Sequence, residues 1–216
     1  MKSLARRSAE HYFIQGIKIF GLVMGLQVIL AFEFFLMGAE MTDMLGYIVQ
    51  NVVAFTGMFM ILFNTIYAIY GPNWLDSVVL SMGARRKDVF WGQIIQQLTF
   101  ITGCVIVSLA ICFIFDRKML VGFTFLAAAA SILAGVIGTV IGYKIKKFGK
   151  IVMMIIIMIM ACLGGVVGAM AAVGKQIHIS ALNNGLSLTV IGVGTIIVFI
   201  LLELWAYKLN SKCMVN

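Results

Sequence analysis

The sequence predicts an all-α, polytopic membrane protein with six transmembrane helices. Three observations carry that prediction. The 216-residue chain is 62% hydrophobic and 11% charged, with a mean hydropathy of +1.10, whereas a soluble domain carries about 25% charged residues. Six stretches are apolar over the ~20 residues a helix needs to cross a bilayer. The sixteen Lys and Arg residues fall unevenly on the connections between those stretches.

The predicted spans are 16–38, 47–70, 92–115, 119–143, 151–173 and 186–207, and they form a single transmembrane domain over residues 1–216. The middle four contain no charged residue. The first is the weakest, with Lys18 near one end and Glu33 near the other. With the N-terminus cytoplasmic, thirteen Lys/Arg residues fall inside, from Lys2 to Lys212. Only Arg117, Lys118 and Lys175 fall outside. Positive charge marks the cytoplasmic side, so both termini are expected in the cytoplasm. Tyr70, Trp91, Tyr143, Trp205 and Tyr207 then sit at the cytoplasmic membrane edge, where amphipathic rings concentrate. The net charge of +8 reads as this topology signal. It does not read as a nucleic-acid surface, because the basic residues do not gather on one soluble face. No cleavable signal is expected, since the first apolar run is too long and no small-residue cleavage site follows it.

Before the first span, Leu4, Ala5, Ala9, Tyr12 and Phe13 can share a helix face, with Arg6, Arg7 and Glu10 opposite. This pattern favours a separate helix lying in the cytoplasmic interface. The outer connections are short, with Glu40 and Asp43 in the first and Arg117 in the second. The longest, residues 174–185, contains Asn183-Asn184-Gly185, a turn signal.

Small residues let membrane helices approach closely. Gly21/Gly25, Ser131/Gly135, Gly138/Gly142, Ala161/Gly165 and Gly164/Gly168 provide such faces. They suit packing within the bundle or against a second chain. Polar residues inside the spans are few. Gln27 and Asn64 are candidates to line a translocation path, although interhelical hydrogen bonding is the plainer role. Glu33 and Glu203 lie near span ends, within reach of the interface.

The sequence argues against catalysis on this chain. Its two histidines, His11 and His178, have no partner at acid–base or metal-ligand spacing. Neither Gly-Lys pair, Gly149-Lys150 or Gly174-Lys175, belongs to a phosphate-cradling G-x-x-x-x-G-K-[ST] loop. Cys104 and Cys112 lie roughly 12 Å apart along one helix and cannot bond to each other. No structural disulfide, metal or bound cofactor is expected.

The segment "GPNWLDSVVLSMGARRKDVFWGQ", residues 71–93, breaks the apolar pattern. Gly71-Pro72 is expected to stop the second helix. Asn73 then reads as an N-cap, with Asp76 completing a capping-box-like pair. Trp74, Leu75, Val78, Val79 and Met82 fall within one 140° arc at 100° per residue. Gly83 is a natural C-terminal stop, and Arg85, Arg86 and Lys87 follow. Asp88 opens the next helix, favourably placed against its dipole. The short amphipathic helix over 74–82 could lie on lipid, anchored by the basic cluster, or dock in a groove of a soluble partner. On the residues alone both remain open.

"LSMGARRKDVFWGQ" resembles the first cytoplasmic loop of small bacterial ABC-exporter permeases of the ABC-2 type. The layout is similar too: an interfacial N-terminal helix, six spans, both ends inside, and a coupling helix between spans two and three. The outer loop 174–185 departs from larger members, being short for two re-entrant helices. The resemblance implies a transmembrane subunit in the bacterial cytoplasmic membrane. It would pair with a second permease chain, as a homo- or heterodimer, and be driven by a separate ATPase that carries ATP and magnesium. Its coupling residues would be Trp74, Leu75, Asp76, Val78, Val79, Met82, Gly83, Arg85, Arg86 and Lys87. The implied cargo is an exported peptide or other amphipathic compound. The alternatives are a substrate-capturing subunit of a vitamin importer and a membrane sensor or assembly factor that transports nothing.

Overall fold

The computed structural model describes residues 4–37, 43–81, 83–148 and 185–212. In chain order it contains α1 (Leu4–Met37), α2 (Met44–Tyr70), a π-helical turn (Gly71–Leu75), α3 (Asp76–Ser81), α4 (Arg86–Ile114), α5 (Met119–Phe148) and α6 (Gly185–Lys212). All regular structure among the described residues is helical. Five continuous helical stretches are long and apolar enough to cross a membrane, the second running unbroken from Met44 to Ser81. The predicted span 151–173, the packing faces at Ala161/Gly165 and Gly164/Gly168, and the outer loop up to residue 184 lie outside the described residues.

The helices are longer than the apolar runs that announce them. Four of them overrun the predicted spans at the end rich in Lys and Arg. The backbone goes on pairing its own N–H and C=O groups after the side chains turn polar, so hydropathy marks only part of each helix. The N-terminal expectation is corrected for this reason. No separate interfacial helix precedes the first span, because α1 is continuous over 34 residues, roughly 51 Å at 1.5 Å per residue. Its inward face is Ser8, Tyr12, Gly16, Ile19, Val23 and Gln27, whereas Phe13 is exposed.

Membrane-length helical stretches two places apart in the chain, α1 with α4 and α2 with α5, run parallel in matched pairs. Along α1 and α4, Tyr12 lies on Gly92, Gly16 faces the Gln96 carbonyl, and the Phe20 ring covers Gly103. A Cβ on Gly16 would sit 2.8 Å from that carbonyl, so the close approach requires glycine. Along α2 and α5, Gly57 faces Ala127, Gly138 faces the Thr65 carbonyl, and Gly142 faces the Ile69 carbonyl. A Cβ on Gly142 would meet that carbonyl oxygen at 2.7 Å. Lipid provides no hydrophobic drive between helices, so contact of this kind is what holds such a bundle. Ile19, Val23, Met60, Phe100, Cys104 and Ala127 fill the centre where the pairs meet. The Gly138/Gly142 and Ser131/Gly135 faces are therefore used inside the chain. Gly21 and Gly25 are not: among the described residues nothing lies within 4 Å of where their Cβ atoms would be.

The two ends of the bundle differ in chemistry. At one end Arg117 pairs with Asp43, tying the α4–α5 connection to the start of α2. The guanidinium, helped by the Gly46 N–H, holds the Asp43 carboxyl below its ordinary value. At the other end α5 and α6 finish together, with Lys144 Nζ 5.1 Å from the centre of the Trp205 ring. Asn210 Nδ2 donates to the Arg86 carbonyl at 3.2 Å, and the rings of Phe90 and Tyr207 pack edge to face. Tyr70, Trp91, Trp205 and Tyr207 are exposed at this end, as an interfacial belt requires, but Tyr143 is buried.

Candidate functional site

The chain does not stop at Gly71-Pro72. Proline removes a backbone donor and clashes with the carbonyl four residues back in a regular helix. The wider π turn Gly71–Leu75 absorbs it, with the Asp76 N–H donating to the Gly71 carbonyl. Asn73 consequently caps nothing. Its side-chain amide donates to the Ile69 carbonyl at 3.1 Å and to the Gly142 carbonyl at 3.4 Å. It thus supplies a donor where the helix is perturbed and ties the turn to α5.

Asp76 is likewise not half of a capping box. It is 3% exposed and points into the bundle. Tyr12 Oη donates to Asp76 Oδ1 at 2.9 Å. Gln93 Nε2 donates to both carboxylate oxygens, at 2.8 and 2.9 Å. Tyr143 Oη in turn donates to Gln93 Oε1 at 3.4 Å. One carboxylate therefore joins the start of α3 to α1 and α4, and through Gln93 to α5. A buried carboxyl is costly unless its oxygens are hydrogen-bonded, and these contacts bond both of them. Tyr12 is held from beneath, since a Cβ on Gly92 would lie 2.1 Å from its ring.

The expected single apolar face of α3 divides. Val79 is buried against Tyr12 and Val89, and Leu75 packs on the same cluster. Trp74 is 75% exposed and Val78 50%. The side chain of Met82 lies outside the described residues. Gly83 does what the sequence asks of it: its φ is +87°, and its N–H bonds the Leu80 carbonyl while the Ala84 N–H reaches the Val79 carbonyl. This is the Schellman closure. After it, the Arg85 N–H donates to Asp88 Oδ2 at 3.2 Å, so Asp88 caps the first turn of α4. Arg85 and Lys87 are exposed, and Arg86 is half-buried.

The two residues put forward for a translocation path are not brought together. Asn64 Nδ2 donates to the Ser131 carbonyl at 2.7 Å, and Ser131 Oγ returns a bond to the Met60 carbonyl at 2.8 Å. Asn64 also borders a cavity of ≈ 10 Å³ with Gln93, Gln96, Gln97 and Thr139, at the lower limit for one water. Gln27 does not line it. By the α1–α4 register Gln27 is level with Ser108. Both are buried, and their side-chain polar atoms find no hydrogen-bond partner among the described residues.

Sequence reading missed the clamp on Asp76 because the motif had a local explanation. Asn-x-x-Asp before an apolar run looks like a cap, whereas the partners of Asp76 lie 64 residues before it and 17 after it. The uncharged carboxamides of α4 were the available signal. Gln93, Gln96 and Gln97 recur on one face of an otherwise apolar helix, and such a face needs polar company. No protein-family model, curated protein or solved structure matches the chain.

Proposed function

We propose that the chain is the transmembrane subunit of an ATP-driven transporter of the ABC-2 type, with α3 as the lever on which a separate ATPase acts. One observation carries the reading: α3 is two-sided at the basic end of the bundle. Its inner side, Asp76 and Val79, is fixed to α1 and α4. Its outer side, continued from the π turn, leaves Val78 of α3 and Trp74 of the turn exposed, next to exposed Arg85 and Lys87. An element that transmits force needs both, a surface for the motor and rigid attachment to the membrane helices. A lipid anchor has use for the first alone. Force applied at Trp74 and Val78 would pass through Asp76 into the α1–α4 pair, and through Pro72 and Asn73 into α5.

The remaining parts of the proposal follow from it. The basic end would face the cytoplasm of a bacterium, with both termini inside. Six crossings are supported by the common end of α5 and α6, the arrangement a further crossing between them would produce. A second permease chain would complete the path, and the open Gly21/Gly25 face of α1 could receive it. The cargo would be an exported amphipathic compound.

The test is reconstitution. The chain purified with an associated ATPase in lipid vesicles should raise that ATPase's turnover above its rate without the chain. No change in turnover on reconstitution contradicts the proposal.

A further inference from the structure

Apart from α3, the most distinctive surface is a groove between α4 and α6, near the basic end. It encloses ≈ 610 Å³, within the range of pockets that hold drug-sized ligands. Four aromatic rings line it, those of Phe90, Trp91, Phe199 and Tyr207, and the remaining lining is almost wholly aliphatic. Two charged residues border it, Lys87 and Glu203.

Their depths differ. α4 and α6 run antiparallel here, since Phe90 meets Tyr207 and the Arg86 carbonyl meets Asn210. Glu203 precedes Asn210 by seven residues, placing it about 10 Å further into the bundle. Lys87 is exposed at the mouth. Glu203 is 9% exposed, and no basic group pairs with it among the described residues. A span-end glutamate was expected to reach the interface. Its position instead makes it part of the wall of an aromatic groove, and ionisable residues within membrane helices mark functional sites by default.

We propose that this groove binds a lipophilic monocation. The ligand's positive centre sits against Glu203, and its hydrocarbon lies on the rings. The chemistry is specific in sign. A carboxylate in a medium of low dielectric attracts a cation far more strongly than in water. Aromatic faces add cation–π attraction and reject anions. Lys87 at the mouth disfavours a second positive charge, so the groove selects a single one. The site needs no partner chain, so it stands or falls independently of the ATP-driven function.

The experiment uses the full chain in lipid nanodiscs, with tetraphenylphosphonium as probe and tetraphenylborate as an anion of the same shape. Equilibrium dialysis against empty nanodiscs should give saturable, one-site binding of the cation and none of the anion. Glu203→Gln should weaken the cation's affinity at least tenfold. Ile200→Trp, which fills the groove and leaves the charge in place, should abolish binding even if Glu203→Gln does not fold. Cation uptake equal to empty nanodiscs would show the groove filled by lipid or by another part of the chain, and would overturn the proposal. So would saturable binding of the borate, or unchanged affinity in either variant.

Discussion

Tyr12 Oη donates to Asp76 Oδ1 at 2.9 Å across 64 residues of sequence, fixing the start of α3 to the N-terminal part of α1. The bond is buried on both sides, so removing the Tyr12 hydroxyl takes one donor from a carboxyl that Gln93 still serves, and removing the carboxyl takes the acceptor from a buried hydroxyl. Tyr12→Phe and Asp76→Asn should each lower thermal stability, and the double variant should lose less than the sum. A coupling of about 0.5–3 kcal/mol is expected for residues in one hydrogen-bonded network. Thermal unfolding of the four proteins in one detergent measures it, and additivity would show the contact to be energetically idle.

Gly92 is the seat for Tyr12. A methyl group there would meet ring carbons that the rest of the cluster fixes in place. Gly92→Ala should destabilise by about 1–3 kcal/mol, the usual cost of overpacking. Gly21→Ala, on an open face of the same bundle, should stay within about 0.5 kcal/mol of wild type, as surface changes do. Thermal midpoints of the two variants check the contrast.

The connections between spans were legible in residue type, and the contacts between spans were not. Apolar run length found the described membrane helices. Gly83 and Asp88 were readable because their partners are within a few residues. Gly138 and Gly142 could be seen as a smooth face, and only the fold reveals that it receives the Thr65 and Ile69 carbonyls. Pro72 misled because a π turn and the Asn73 amide, donating to Ile69 and Gly142, offset its usual effect. Asp76 misled because a carboxylate's distant donors leave no periodic trace.

Asp43 and Arg117 make the bundle's other end sensitive to acid. The guanidinium depresses the Asp43 carboxyl, so the folded form holds its proton less tightly than the unfolded one. The stabilisation is complete above the unfolded value of about 3.9. It disappears as pH falls through the lower folded value. The gap in thermal midpoint between wild type and Asp43→Asn should be constant above about pH 5 and should close below about pH 4. Added salt should narrow it, since both side chains are exposed.

Gln27 tests whether α1 carries a path. Its amide is buried without a partner among the described residues, a cost of about 1–3 kcal/mol. Gln27→Leu should therefore be neutral or stabilising in thermal unfolding. A clear loss of stability would mean that Gln27 has a partner, such as a bound water.

The central claim is that the outer side of α3 receives a motor while its inner side holds the bundle. Val78 and Val79 are adjacent in sequence and separate these roles: Val78 is exposed, and Val79 is buried against Tyr12 and Val89. Val79→Asp should damage the bundle itself, so Val78→Asp is the informative change. The decisive measurement is turnover of the associated ATPase in vesicles reconstituted with wild type or Val78→Asp, at matched membrane insertion and thermal midpoint. Stimulation should be lost in the variant, and stimulation equal to wild type would contradict the account.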